Sequence, residues 1–103
     1  MKYVLAWTTR FGGSGKDNEE SAARALQLFS KWQVPAGSTF HQFVGRLDGD
    51  GGFAVVETED PAELLDGTGK FAPFNVFQIY PVVDMADWVA ATQTGVEFRG
   101  SIS

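Results

Sequence analysis

The sequence predicts an α+β domain, a ferredoxin-like βαββαβ sandwich with an extra helix at its C-terminal end. Three observations lead to this fold class. Strand-like and helix-like segments follow one another in the order strand, helix, strand, strand, helix, strand, which repeats one βαβ unit twice. A further helix-like segment comes after them. The chain has 103 residues, of which 44% are hydrophobic and 14% aromatic, enough for one core. We therefore expect a single domain over residues 1–103.

The first strand and the first helix are separated by a glycine-rich loop. Residues 2–10 are rich in β-branched and aromatic side chains, which favour a strand. After the loop, Asp17 is followed at the third place by Glu20, a capping-box pattern. Apolar residues then recur at helical spacing as far as Trp32. The sequence therefore predicts an amphipathic helix that ends before Pro35.

A β-hairpin follows. Residues 39–47 and 53–59 are strand-like, and the segment between them reads DGDGG. Acid-glycine pairs between two such segments are typical of hairpin turns. A five-residue loop, 48–52, would place Leu47 opposite Phe53.

The second half repeats the pattern. Asp60 and Pro61 form a helix start, and this helix should be short because Gly67 and Gly69 each cost about 1 kcal/mol relative to alanine. Residues 75–83 predict the last strand, with Pro81 indicating an edge position. A closing helix is expected from Asp84 to Gly95.

Composition excludes several classes of function. Eight basic against thirteen acidic residues give a net charge of −5, which disfavours nucleic acids and anionic membrane surfaces as partners. There is no cysteine and one histidine, so thiolate chemistry and a multi-histidine metal site are excluded and no metal or cofactor is expected. The N-terminal apolar segment is too short for a signal peptide or a membrane span. We expect a cytoplasmic protein.

The glycine loop, residues 11–17, stands where a phosphate-binding loop would lie. Its spacing does not fit. The Gly15-Lys16 pair would place the first glycine of a Walker motif at Arg10, and Asp17 replaces the hydroxyl residue that binds magnesium. We therefore expect no ATP or NAD binding at this loop.

His41 and Glu57 are the candidate catalytic pair. In the register above, both lie on one sheet face with Phe43, and Gln42, Arg46 and Thr58 lie on the other. A carboxylate beside an imidazole orients it as a general base does. The alternatives are a surface or interface histidine near an acidic rim and, for Glu57, a structural ion pair with Arg46.

Four residues are candidates for ligand binding. They combine flat or polar groups with positions on or near the predicted strands, and they are Trp7, Phe43, Tyr80 and Arg46. In a pocket the aromatic rings would stack on a flat ligand. The alternative for such aromatic residues is a place in the core.

The chain is similar to an uncharacterised domain family of the dimeric α+β barrel superfamily. The similarity is carried by Trp7 on the first strand, VGRLDG and GGFAVVETEDP around the hairpin, and FNVFQIYPVVD near the end. It implies a homodimer with two facing sheets and a pocket between sheet and helices. Many members carry an aromatic residue and a histidine where this chain has Leu47 and Asp48, so histidine chemistry of the family is not carried over.

Two functions follow as hypotheses. One is a homodimer, a small-molecule binder or cofactor-independent enzyme with an apolar aromatic pocket, in which His41 or Glu57 moves a proton. The other is an interaction or stress-related homodimer without a ligand pocket. Haem handling is a weak third hypothesis, because His41 would be the sole axial ligand.

Overall fold

The computed structural model describes residues 1–102, and these form four strands and three helices. The elements in chain order are β1 (Lys2–Thr9), α1 (Gly15–Lys31), β2 (Ser38–Gly45), β3 (Gly51–Thr58), a 3-10 turn (Pro61–Glu63), α2 (Leu64–Phe71), β4 (Asn75–Val82) and α3 (Met85–Ile102). The predicted order is confirmed. No helix in the described residues has both the length and the hydropathy needed to cross a membrane.

The four strands form one antiparallel sheet in the order β2-β3-β1-β4. This order agrees with a ferredoxin-like fold, because β1 and β3 lie in the centre and the two βαβ units interleave. β4 is an edge strand, as its Pro81 predicts, since proline cannot donate a ladder hydrogen bond. The α+β class is confirmed.

The core lies on the sheet face that α1 and α2 cover. Its buried residues are Tyr3, Leu5, Ala54, Val56 and Leu64. The strand residues among them alternate along β1 and β3, as period two requires. The face turned away from α1 and α2 is called the open face below.

The start of α1 differs from its prediction by three residues, almost one helical turn. Ser14, not Asp17, is the N-cap residue, and Asp17 is the third residue of the capping box, with reciprocal hydrogen bonds of 3.1 Å. The Asp17 carboxylate and the Ser14 hydroxyl therefore occupy amide donors that an anion would need. Two of the amides that a phosphate cradle at this helix start would use are therefore already taken.

The hairpin register differs from the predicted one by three residues. Val44, rather than Leu47, lies opposite Phe53. An odd shift moves side chains to the other face, so Phe43 lies on the helix face and Gln42 on the open face. A β-bulge between Phe40 and Gln42 adds a further shift, so the residues of β2 that precede the bulge lie on their predicted faces. The expectation that Phe43 shares a face with His41 was wrong for this reason.

The helix α3 is longer than predicted and projects from the sheet. It continues through Gly95, which was expected to end it, and runs to Ile102. Every residue of α3 except Gly95 is exposed. The molecule accordingly measures 62 × 31 × 20 Å with a radius of gyration of 18.2 Å, against about 13 Å for a compact chain of this length.

Candidate functional site

A cavity of about 260 Å³ lies between the helix face of the sheet and the two helices α1 and α2. The helix α1, which forms one wall, buries none of its residues completely. Leu5 and Ala54 form part of its floor, and Ala25 and Leu26 of α1 lie on the opposite wall. The similarity to the dimeric α+β barrel superfamily implied a pocket at this place, between sheet and helices.

Six aromatic side chains form a connected cluster around the cavity. The cluster consists of Trp7, Phe29, Trp32, Phe40, Phe43 and Phe71. Neighbouring ring centroids are 5.2 to 6.1 Å apart, and most pairs meet edge to face. Such rings present both faces and edges to a flat guest. We call this set the aromatic cluster.

Two glycines allow the tryptophans of the cluster to approach the backbone closely. Trp7 lies over Gly52, directly opposite it in the β1–β3 ladder, and a Cβ on Gly52 would overlap the indole ring. Trp32 lies over Gly67, where an added Cβ would be 3.3 Å from the ring. Gly67, which weakens α2 by propensity, therefore provides a close helix-to-ring contact.

The polar groups of the cavity come from separate segments. Ser38 Oγ donates a hydrogen bond of 2.6 Å to Glu63 Oε2 at one end of the sheet. Asn75 lies at the other end, opposite Thr9 in the ladder. Trp32 Nε1 donates to Asp66 Oδ2 at 2.8 Å and thus turns its polar edge away from the cavity floor. The cavity is apolar in its middle and polar at two ends.

The family of the chain follows from a match over nearly its whole length. A family model described as "Domain of unknown function (DUF3303)" matches residues 1–96. The chain belongs to the DUF3303 family. No curated protein matches it significantly. The resemblance to an uncharacterised domain family is thus confirmed, and the family description assigns no activity.

Of the four predicted ligand-binding residues, the DUF3303 domain brings two to the cavity. Trp7 and Phe43 line it, with ring centroids 5.5 Å apart. Tyr80 lies on the open face, where its hydroxyl donates to Gln78 Oε1 at 2.7 Å. Arg46 lies at the hairpin turn and pairs with Asp48, so it forms neither part of the cavity nor an ion pair with Glu57.

His41 and Glu57 meet on the open face. The distance from His41 Nε2 to Glu57 Oε1 is 2.7 Å, so the predicted contact is present. Its context differs from the expectation, because the sheet separates the pair from the cavity. Both side chains are about half exposed in the single chain, at 42% and 47%.

An ion pair between Lys2 and Asp84 extends this contact across the sheet. Lys2 is opposite Glu57 in the β1–β3 ladder, and its Nζ lies 2.7 Å from Asp84 Oδ1 at the start of α3. We call His41, Glu57, Lys2 and Asp84 the charged rim. The hydrogen bond to Asp84 raises the pKa of Lys2, and the same bond lowers the pKa of Asp84.

The charged rim predicts a loss of stability in acid. The hydrogen bond from His41 is the main reason that the pKa of Glu57 lies below its ordinary value, and the charge of Lys2 lowers it further. A lowered pKa in the folded state stabilises the fold fully above the unfolded-state pKa of about 4.3, and this contribution disappears as the pH falls through the folded-state pKa.

Glu57→Gln should therefore flatten the acid side of the stability profile. Urea midpoints measured from about pH 6 down to about pH 3 should fall less in this variant than in the wild type. Glu19→Gln is the matched control, because Glu19 is exposed on α1 and makes no ion pair within residues 1–102. If the urea midpoints of Glu57→Gln and the wild type fell equally with pH, the stabilising role of the Glu57 carboxylate would be contradicted.

A second depression, of about 680 Å³, lies between the end of α1 and α2. Its walls carry Asp66 and Lys70, which pair with each other at 2.8 Å. Because Asp66 also accepts a hydrogen bond from the Trp32 indole, these two charged groups already have partners within the fold, and Lys31, the third charged residue of the lining, is exposed. The aromatic cavity is the better candidate site.

Sequence reasoning missed several cavity residues, above all Glu63 and Ser38. Glu63 reads as a helix-start residue, yet its side chain does not cap α2. Phe40 and Phe71 also line the cavity, and strand and helix periodicity would have assigned both to the core. The Gly37-Ser38 pair at the start of β2 was the available signal for a polar contact.

Proposed function

We propose that the domain binds a small, flat, largely apolar molecule in the cavity between sheet and helices. The observation that carries the proposal is a cavity of about 260 Å³ bordered by the aromatic cluster. An apolar cavity of about 150 Å³ in a protein interior is large enough for benzene. A two-ring aromatic compound is therefore the size that fits.

Binding is better supported than proton transfer. The predicted catalytic pair, His41 and Glu57, lies on the open face, and a ligand in the cavity is on the other side of the sheet. A general base must lie within hydrogen-bond reach of the proton it removes. We therefore assign His41 and Glu57 a hydrogen-bonded contact on the open face.

Filling the cavity should weaken binding. Ala25 lines the cavity from α1, so the ring of Ala25→Phe would occupy the space of a ligand. We expect the wild type to bind indene with a Kd below about 1 mM and Ala25→Phe to bind at least about tenfold more weakly. The matched control is Ala23→Phe, an exposed α1 position outside the cavity lining, which should bind as the wild type does.

The three tryptophans report on ligand binding in an NMR titration. In a titration followed through the indole N–H signals, those of Trp7 and Trp32 should shift, because both line the cavity. The signal of Trp88, on the projecting α3, serves as an internal reference. Shifts confined to Trp88, or no saturable shift, would refute the proposal.

We also infer that the domain forms a homodimer through its open faces. The open face carries large apolar side chains that nothing in residues 1–102 covers, among them Val44, Phe53 and Tyr80, which are 45% to 50% exposed. A four-stranded sheet with helices on one side leaves its other apolar face in need of a partner. A second copy of the chain would contribute the same face to the interface.

The position of α3 agrees with such a dimer. The Lys2–Asp84 pair holds the start of α3 at the edge of the open face, and the helix then leaves its own sheet. Its 18 residues span about 27 Å, close to the length of an eight-residue strand, about 26 Å. Exposed apolar residues, including Met85, Trp88 and Val89, would then pack along the second copy.

A further inference from the structure

We infer that the cavity selects ligands that carry an N–H or O–H donor and no negative charge, with Glu63 as the recognition residue. This rests on the proposed binding function and specifies its ligand class. Among the cavity-lining residues Glu63 is the single charged one, and no lysine, arginine or histidine of residues 1–102 accompanies it there.

The Glu63 carboxylate is held in place by the protein. Its Oε2 accepts from Ser38 Oγ at 2.6 Å, and Thr58 Oγ1 is 3.4 Å from the same oxygen. Thr58 is itself buried and fixed by Asp60, whose amide donates to its hydroxyl at 3.1 Å. A carboxylate anchored in this way needs no reorganisation when a ligand arrives.

A ligand would have to use the second oxygen of Glu63, because the first is bonded to the protein. Among residues 1–102 no donor contacts Oε1, which lies over Gly37 at a point where an added Cβ would be 2.5 Å away. The absence of a side chain at Gly37 therefore leaves room for this oxygen. The Glu63 side chain also does not cap α2, so Oε1 is not needed for helix stability.

The same carboxylate disfavours anionic ligands. An anion placed next to Glu63 would meet a like charge in a cavity whose remaining walls are mostly aromatic and aliphatic. No cation among the lining residues would offset that repulsion, and low polarity around the pair makes it stronger. Carboxylates and phosphates should therefore be excluded, whereas neutral donors should be accepted.

Indole and indene test this inference, because they have nearly the same shape and indole alone has an N–H. We expect the wild type to bind indole about tenfold or more tightly than indene, because a hydrogen bond to a charged acceptor contributes a free energy of that size. In Glu63→Gln the preference should fall to about threefold or less. The control Glu59→Gln, at an exposed site outside the cavity lining, should keep the full preference.

Indole-3-acetate adds a readout that a purely structural role of Glu63 would not produce. The wild type should not bind it measurably, whereas Glu63→Gln should gain binding because the repelling charge is removed. Amide spectra of each variant establish that it is folded.

The outcomes separate the inference from the function on which it rests. If neither indole nor indene binds to the wild type, the proposed binding function fails. If both bind equally, binding stands and the donor rule is wrong. An indole preference that persists unchanged in folded Glu63→Gln would assign recognition to another acceptor and overturn the role of Glu63.

Discussion

Gly52→Ala should lower the free energy of unfolding by about 3 kcal/mol or more, a large part of the 5–15 kcal/mol typical of a domain. Gly52 is buried between two neighbours that a Cβ would overlap, the Trp7 ring and the Val44 carbonyl oxygen. The indole belongs to the aromatic cluster and the carbonyl to the neighbouring strand. Relief of the overlap must therefore displace the cavity wall or the sheet backbone.

Gly45 provides a matched control for this substitution. It lies directly opposite Gly52 in the β2–β3 ladder, and an added Cβ there meets nothing within 4 Å. Gly45→Ala should change the free energy of unfolding by less than about 1 kcal/mol. Urea denaturation followed by circular dichroism measures both variants. If the two alanine variants unfold at the same urea concentration, the close packing of Trp7 on Gly52 is not a feature of the folded protein.

The element order was predictable because it depends on local signals. Strand periodicity, the Asp60-Pro61 helix start and the Pro81 edge position each act within a few residues, and the structure contains all of them. The closing helix was predicted too short. One glycine, Gly95, costs a helix only about 1 kcal/mol, so seven further residues can extend it.

The hairpin register was not predictable with the same ease. DGDGG offers several positions for a turn, and the chain places the positive φ of 77° at Gly49 while Gly51 and Gly52 enter β3. The bulge at His41 adds a second change of face that no local pattern indicates. His41 therefore meets Glu57 as expected, although the register used to predict that contact was wrong.

The composition of the cavity depends on contacts between distant segments. Ser38 and Glu63 are 25 residues apart and meet only after α2 has packed beside β2 and β3. Trp32 and Gly67 come together in the same way. A single sequence shows that the aromatic residues are amphipathic or apolar. It does not show which of them border a cavity rather than fill a core.

Phe53→Asp should convert a dimer into a monomer, which we expect to be the largest effect of any single substitution on the open face. Phe53 lies on this face of the central strand β3 and is 45% exposed in the single chain. An interface through the open faces would bury the new carboxylate without a partner. We expect the dimer Kd to rise by about 100-fold or more.

The monomer should remain folded, because Phe53 takes no part in the core on the helix face. Sedimentation at micromolar concentration should give twice 11.2 kDa for the wild type and the single mass for the variant. Phe11→Asp is the matched control. Phe11 is 63% exposed in the glycine loop and lies off the sheet, so this variant should stay dimeric.

Trp88→Asp distinguishes the open face from a contact through α3 alone. Trp88 is 55% exposed on α3, and in the proposed dimer it packs on the second copy beside the sheet interface. Its replacement should weaken the dimer less than Phe53→Asp does, because buried charge costs most at the centre of an interface. Three results would contradict the facing-sheet dimer: a monomeric wild type at micromolar concentration, a fully dimeric Phe53→Asp, or a dimer lost in Trp88→Asp and retained in Phe53→Asp. The last of these would assign the contact between copies to the projecting helices instead.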